Sequence, residues 1–166
     1  MTSHDSETLA KGQQVITACA FIHHNFGGIK KVFLPKRAAT KKFLPNVFEL
    51  PGGHIDFGED LVTGLQREIK EEFQMNISVG DPFAAFTYIN HIKQSHSVEI
   101  IFFASFVDPL EDIVLNPEDH SEFDWFQEND ILTKKVADQN KNADDDEIKA
   151  ILKGFQILNT SSLNFG

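Results

Sequence analysis

The sequence predicts an α/β (α+β) fold in a single domain. Three observations support this prediction: short β-branched and aromatic runs typical of strands, an apolar stripe at helical spacing in the first half of the chain, and a second such stripe near the C terminus. The chain has 166 residues, of which 41% are hydrophobic and 24% charged, so it is long enough to bury one hydrophobic core. It contains no internal repeat and no low-complexity segment.

Apolar runs bounded by turn residues mark the expected strands. The turn sequence at residues 25–28, Asn-Phe-Gly-Gly, joins the first two runs and indicates the start of a β-meander. Residues 51–53, Pro-Gly-Gly, are expected to end a short strand, because proline lacks a backbone donor and glycine permits positive φ. Ser97 to Val107 is too apolar for a surface loop and predicts a central strand. The predicted strands are Val15 to His23, Lys31 to Leu34, Phe48 to Leu50, Phe83 to Ile89, Ser97 to Val107 and Glu122 to Phe126.

Helical periodicity predicts one long helix before the middle of the chain and one at its end. From Asp60 to about Phe73, apolar residues recur every four positions, with Asp60 as a suitable N-cap. A short helix is expected at Glu128 to Val136 and a terminal one around Ile148 to Leu158. We therefore expect a polar N-terminal segment at residues 1–12, one domain at 13–137, and a linker with a C-terminal helix packed on the same domain at 138–166.

Charge and composition exclude several classes of protein. The formal net charge of -10 argues against binding to nucleic acid polymers, which requires a basic surface. A local basic segment that includes Arg37 precedes the acidic helix and is able to hold a small polyanion, or to keep an edge strand soluble. No apolar run approaches the ~20 residues of a membrane span, and the start of the chain is polar, so we expect a cytoplasmic protein without membrane contact. The single cysteine, Cys19, cannot form an intramolecular disulfide.

Three glutamates on the long helix suggest a cation site. Glu68, Glu71 and Glu72 are three or four residues apart, which places their carboxylates on one helix face, away from the apolar stripe. Like charges at this spacing repel each other, and carboxylates are disfavoured toward the negative end of a helix. An exposed acidic helix is the plain alternative. A bound hard cation explains the cluster better, and oxygen ligands favour Mg²⁺, with Mn²⁺ also suitable.

The surrounding segment resembles the Nudix box. Gly53 is followed after five residues by Glu59, and after seven more by the run Arg-Glu-Ile-Lys-Glu-Glu at 67–72, with an apolar residue at Met75. The box normally has a glycine where this chain has Gln74. Because that glycine usually ends the helix in a left-handed conformation, Gln74 leaves the geometry of the helix end open but does not affect the metal ligands. Residues 47–54 and 123–126 also resemble the segments that flank the box in this family.

The resemblance implies a fold, an activity and a set of site residues. The fold is the Nudix α/β/α sandwich, with a mixed β-sheet between helices. The activity is Mg²⁺-dependent hydrolysis of the pyrophosphate bond in a nucleoside diphosphate linked to another moiety, which releases a nucleoside monophosphate from a small-molecule substrate. The metal ligands implied are Glu68, Glu72, Glu71 and the Gly53 carbonyl. The catalytic set is Glu68, Glu71 and Arg67, in which Glu68 is a metal ligand or the general base and Arg67 orients a glutamate carboxylate.

The sequence leaves open several other residue roles and alternative functions. The candidate substrate residues are Glu59, Arg37 and Glu122. Glu59 is alternatively a partner of the metal ligands or a helix-start residue. Glu118 and Glu122 are either the additional acid that family members often recruit from a later loop or ordinary surface acids. The spacing of His91 and His96 does not indicate zinc. A non-catalytic Nudix-fold nucleotide-binding or regulatory module is the alternative function. A related isomerase activity would require a reactive cysteine, for which Cys19 gives little support. The chain is expected to be a monomer or a homodimer.

Overall fold

The computed structural model describes residues 11–133 and 145–166, which form one sheet and its flanking helices. The strands are β1 (Gln14–Phe26), β2 (Ile29–Arg37), β3 (Gly52–His54), β4 (Ile77–Asn90), β5 (Ser95–Phe106) and β6 (His120–Phe126). The helices are α1 (Leu61–Phe73), α2 (Asp130–Thr133) and α3 (Asp146–Thr160), with a 3-10 turn at Leu110–Asp112. None of the helices in the described segments is long and apolar enough to cross a membrane.

The six strands form a mixed sheet, as expected from the sequence. Its order is β4-β5-β1-β2-β6, and β3 pairs with β1 beside this path. β1 and β5 are parallel, whereas the other paired strands are antiparallel. The apolar run at 97–107 therefore lies between two neighbours, as a buried strand should, and β1 contacts β2, β3 and β5.

Two hydrophobic cores cover the two faces of this sheet. Successive residues of a strand point to opposite faces, so Ala18 and Ala20 of β1 belong to one core and Cys19 and Phe21 to the other. Helix α1 contributes Leu65, Ile69 and Phe73 to the first core, and α3 contributes Ile151, Phe155 and Leu158 to the second. The sheet is thus enclosed between helices, which confirms the predicted sandwich architecture.

The short strand near the Pro-Gly-Gly sequence lies later in the chain than predicted. Phe48 makes only an isolated bridge to Lys36, whereas Gly52–His54 pair with Thr17–Cys19 of β1. A Cβ atom on Gly52, which has φ +155°, would overlap the carbonyl oxygen of Ala18. The glycines therefore allow a close approach of two strands as well as a bend. Of the predicted helix at 128–136, the structure shows α2. Residues 134–136 and the predicted linker at 138–142 lie outside the described segments.

Helix α1 begins and ends as its sequence indicates. The Asp60 side chain accepts a hydrogen bond of 3.0 Å from the backbone N–H of Thr63, which caps the N terminus. Gln74 closes the helix at φ 57° and ψ 27°, and its N–H bonds to the carbonyl of Lys70. Gln74 thus adopts the left-handed geometry that the usual glycine would have, and this geometry is strained for a residue with a Cβ atom.

Replacing Gln74 by glycine is expected to stabilise the protein. Removing the Cβ atom relieves the left-handed strain, which outweighs the greater freedom of glycine in the unfolded chain, for a net gain of about 0.5–1 kcal/mol in the free energy of unfolding. Chemical denaturation measures this difference. Gln66→Gly, at an exposed position within α1, is the matched control and is expected to lose about 1 kcal/mol. A loss of stability in both variants would contradict the explanation.

Candidate active site

The carboxylates of α1 differ strongly in exposure. Glu68 is 0% exposed and Glu72 is 8% exposed, whereas the Glu71 side chain is 39% exposed. The Glu68 carboxylate lies directly against Gly53 of β3, where an added Cβ atom would overlap it. The Nudix-type glycine and glutamate are therefore in contact, because β3 passes beside the face of α1 that carries Glu68.

Arg67 connects the acidic residues of this region. Its guanidinium donates two hydrogen bonds, of 2.8 and 2.9 Å, to the two carboxylate oxygens of Glu59. It also donates to Glu68 Oε1 at 3.0 Å, to Glu71 Oε2 at 3.3 Å and to the His54 carbonyl at 2.9 Å. The hydrogen bonds from Arg67 lower the pKa of Glu59 to about 2. Glu59 thus fits the role of a charged partner that fixes Arg67.

Burial makes the two inner carboxylates costly to ionise. Desolvation raises the pKa of Glu68 to about 7, although the nearby Arg67 partly opposes this shift. The pKa of Glu72 is raised well above its usual range, first by burial and then by the negative charges of Glu68, Glu49 and Asp119. A divalent cation would remove this penalty, since it would neutralise both carboxylates where water cannot.

The oxygen donors of this region fit a hard divalent ion. Glu68 and Glu72 are carboxylates, and the Gly53 backbone lies against the first of them. Within residues 11–133 and 145–166, no three acidic, His or Cys side chains are already gathered in a metal-holding geometry. A backbone carbonyl and substrate or water oxygens would therefore have to complete a shell around these two carboxylates, an arrangement that suits Mg²⁺.

A cleft of about 250 Å³ opens beside Glu72. It is lined by Glu72 and by Gly52 and Gly53 of β3, and the loop between β2 and β3 adds Lys41. The rest of its wall is the face of the sheet that also packs against α3, with residues of β1, β4 and β5. Because β1 pairs with β3, Thr17 and Cys19 lie next to His54 and Gly52.

A largely buried network beside Glu72 links β2, β6, α1 and the segment just before β3. Arg37 Nη1 lies 3.3 Å from Glu49 Oε1, and His120 Nε2 lies 2.8 Å from Glu49 Oε2. His120 is 3% exposed, and its other ring nitrogen lies 3.9 Å from Glu72 Oε2. Arg37 Nη2 is buried and has no hydrogen-bond partner among the residues that the structure describes. Arg37 also lines the cleft, so its positive charge acts on a group bound there, although this nitrogen itself is not exposed to the cavity.

The predicted site residues fall into three groups. Glu72, Gly53 and Arg37 line the cleft. Arg67, Glu59, Glu68 and Glu71 form a hydrogen-bonded group behind β3 rather than in the cleft wall. Glu122 does not line the cleft; its side chain is 51% exposed and lies 3.8 Å from Lys36. The register of β2 and β6 shifts between Lys36 and Arg37, so His120 and Glu122 are not presented in the same way.

Several cleft residues were missed by the sequence reasoning. Asp119 and His120, between the two acids that were considered, line the cleft, whereas Glu118 is exposed and does not. Thr17 and Glu99 also line it and are 6% and 4% exposed. Glu99 carried a signal that was available, since a lone acid inside the apolar run Val98 to Phe103 is unusual on a strand with two neighbours.

Comparisons with known proteins agree with this architecture. A family model described as NUDIX domain matches residues 14–148. The m7GpppN-mRNA hydrolase NUDT17 of Danio rerio is 37% identical over 73 residues, which cover 44% of this chain and 23% of that protein. An uncharacterized Nudix hydrolase of Nostoc, all7351, is 31% identical over 61 residues, 36% of this chain and 34% of that protein. The chain thus matches about a third or less of the length of these relatives.

Solved structures share the fold at low sequence identity. The MutT protein from Methanosarcina mazei Go1 superposes with a TM-score of 0.69 at 21% identity, covering 91% of this chain and 99% of that one. The Ap4A hydrolase of C. elegans, in a binary complex, gives a TM-score of 0.67 at 22% identity, covering 87% and 96%. Because the family model spans most of the chain and the box residues meet in the fold as described, the chain belongs to the NUDIX domain family.

Proposed function

We propose that this protein hydrolyses the pyrophosphate bond of a nucleoside diphosphate derivative in the presence of Mg²⁺ and releases a nucleoside monophosphate. The observation that carries the proposal is a pair of buried carboxylates on α1: Glu68 packs against Gly53 of β3, and Glu72 lines the cleft. Two buried acids with raised pKa values are expensive for folding. Such a cost is typical of a site that serves binding or catalysis.

The residues around the acids have distinct tasks in this proposal. Glu72, Glu68 and the Gly53 carbonyl would hold the cation, and Glu71 would join them from the helix surface. Arg67, held by Glu59, fixes one oxygen of Glu68 and thus the direction in which its other oxygen points. The alternative role of Glu68, in place of metal binding, is to accept a proton from an attacking water.

The substrate phosphates are assigned to the same end of the cleft. When bound, the Mg²⁺ ion would supply neutralisation of phosphate charge and polarisation of a phosphoryl oxygen. The cleft wall includes two cationic side chains, Arg37, which pairs with Glu49, and Lys41, which pairs with Asp119 at 3.1 Å. The names of the relatives, an mRNA cap hydrolase and an Ap4A hydrolase, support dinucleoside polyphosphates as first substrates to test, beside nucleoside triphosphates and nucleotide sugars.

A substrate panel tests the proposed function. Nucleoside triphosphates, dinucleoside polyphosphates, ADP-ribose, NADH and capped dinucleotides are incubated with the full chain and Mg²⁺ or Mn²⁺, and products are separated by chromatography. We expect a nucleoside monophosphate among the products of at least one compound, and no turnover after the divalent ions are chelated. Metal-independent turnover, or no turnover of any compound, would count against the proposal and favour the non-catalytic binding module.

A further inference from the structure

The side chain of His54 points to the cleft side of β3, opposite to Glu68. A Cβ atom added to Gly53 would meet the Glu68 carboxylate of α1. Because successive residues of a strand point to opposite faces, the next residue, His54, points away from α1. Its direct partner in the register is Thr17 of β1, and both residues line the cleft. Thr17 is only 6% exposed, whereas His54 is partly exposed, so a bound group can reach His54.

A buried lysine lies directly behind this histidine. Lys93 belongs to the turn between β4 and β5 and is 6% exposed. Its Nζ atom lies 2.8 Å from Nδ1 and 3.1 Å from Nε2 of His54. Lys93 is not among the residues that line the cleft. Its ammonium group therefore acts on the cavity through the ring of His54.

The turn that carries Lys93 is held on both sides. The side chain of Asn90, which is 5% exposed, accepts a hydrogen bond of 2.9 Å from the backbone N–H of Lys93. The carbonyl of Gln94 accepts a hydrogen bond of 2.8 Å from the N–H of Gly12, just before β1. A lysine in a hairpin turn ordinarily extends into solvent, and burial of an ammonium group opposes folding. The inward direction of Lys93 therefore indicates a task beside the cleft.

The cleft has few positive charges with which to hold a phosphate chain. Its cationic lining residues, Arg37 and Lys41, each pair with an acid. Acidic side chains outnumber them in the wall, and Glu72 and Glu147 are among these acids. The ammonium group of Lys93 adds a positive charge behind the wall, where it acts more strongly than it would in water. A phosphate chain is therefore expected to lie on the side of the cleft nearest to Lys93.

We propose that Lys93 and His54 form a cationic pair that binds the phosphate chain of the substrate beside Gly53. In this pair His54 contacts a phosphate group, and Lys93 is the positioning residue behind it. The inference rests on the proposed function and assigns it a further phosphate-binding residue. Ionised phosphate oxygens accept hydrogen bonds, and an imidazole ring carries at least one N–H donor. The ammonium group holds the ring in place and adds its charge to the contact.

Binding of imidodiphosphate, a diphosphate with nitrogen in the bridging position, tests the inference without turnover. Its dissociation constant is measured by calorimetry with Mg²⁺ for the natural protein, Lys93→Met, Lys93→Arg and Lys70→Met. Lys93→Met removes the charge but keeps a long apolar side chain, and it should weaken binding about 10-fold, as the loss of one partly buried unit charge does. Lys93→Arg keeps the charge and should stay within about threefold of the natural protein. Lys70, exposed on α1, is the matched control, and its variant should keep the affinity.

A double-mutant cycle tests whether the two residues act together. His54→Ala removes the proposed phosphate contact and should also weaken binding of imidodiphosphate about 10-fold, a loss typical of a charge-assisted hydrogen bond. If Lys93 acts through His54, the double variant should lose little more than the weaker-binding single variant. Losses that multiply would show two independent residues and would overturn the positioning role of Lys93. His54 is partly exposed, so His54→Ala gives a result even if Lys93→Met fails to fold.

The outcomes separate the pair from the proposed hydrolase. No binding of imidodiphosphate by the natural protein at millimolar concentration, or unchanged affinity in a folded Lys93→Met protein, would overturn the inference. Equal losses in Lys93→Met and Lys93→Arg would assign Lys93 a purely structural role. Turnover of the substrate panel with unchanged imidodiphosphate binding in Lys93→Met would keep the hydrolase and remove the pair. A charge-dependent loss of binding without turnover of any compound would keep the pair and count against the hydrolase.

Discussion

Glu72→Gln is expected to abolish hydrolysis while making the metal-free protein more stable. Glu72 is 8% exposed, and its pKa is raised by burial and by the nearby Glu68, Glu49 and Asp119. An amide of the same shape removes a buried negative charge from this group, so the variant should have the higher melting temperature in chelator. It also removes a charged metal ligand. Mutation of a residue that only hydrogen-bonds to a metal ligand typically costs 10–100-fold in metal affinity or activity. Because Glu72 is itself a proposed ligand, the loss in kcat/KM should exceed about 100-fold.

Two measurements check this prediction together. The first is kcat/KM for the best substrate of the panel at saturating Mg²⁺, and the second is the melting temperature with and without Mg²⁺. Glu111→Gln, the same change at an exposed position of the 3-10 turn, serves as the control and should alter neither quantity. In the natural protein Mg²⁺ should raise the melting temperature, because an ion that binds only the folded state stabilises it. If kcat/KM of Glu72→Gln stays within about threefold of the natural protein, Glu72 is not a metal ligand of the active site.

The stability difference between Glu68→Gln and the natural protein is expected to depend strongly on pH in the absence of divalent ions. Glu68 has a pKa of about 7 when folded, against 4.5 as the ordinary value. Above pH 7 it is ionised in both states and the burial penalty is fully present. As the pH falls from 7 to 4.5 the folded protein takes up the proton first, and the penalty disappears. The shift corresponds to roughly 3 kcal/mol, which sets the upper limit of the effect.

Urea denaturation in chelator at several pH values between 4.5 and 8 measures this effect. The advantage of Glu68→Gln over the natural protein should be largest at pH 8 and should fall by roughly 2–3 kcal/mol toward pH 4.5. The groups that act on Glu68 are Arg67, Glu71 and Asp56. Glu71→Gln changes a more exposed carboxylate that also accepts a hydrogen bond from Arg67, so it controls for the loss of an Arg67 partner. A pH-independent difference for Glu68→Gln would show that burial does not perturb this carboxylate.

Interactions within a few residues made part of this molecule predictable. The length of α1, its cap at Asp60 and the shared face of Glu68 and Glu72 all follow from helical periodicity and local capping. The strands were recognised from apolar runs, although the segment at 52–54 was taken for a turn. It pairs as a strand because β1 lies close enough to require glycine at Gly52. The strand partner of Gly52 is Cys19, 33 residues earlier, and the local sequence pattern around Gly52 does not reveal this pairing.

The sequence by itself determined the Nudix box, the acidic helix and the mixed α/β character of the fold, because each of these depends on the spacing of residues along the chain. Only the tertiary structure decided which carboxylates are buried and what they contact. Arg67 bonds mainly to Glu59, eight residues earlier, rather than only to Glu71 at helical spacing. Thr17 and Glu99 become neighbours because β1 and β5 are parallel across 82 residues. Tertiary packing sets these long-range contacts, and the burial it produces raises the pKa values of Glu68 and Glu72.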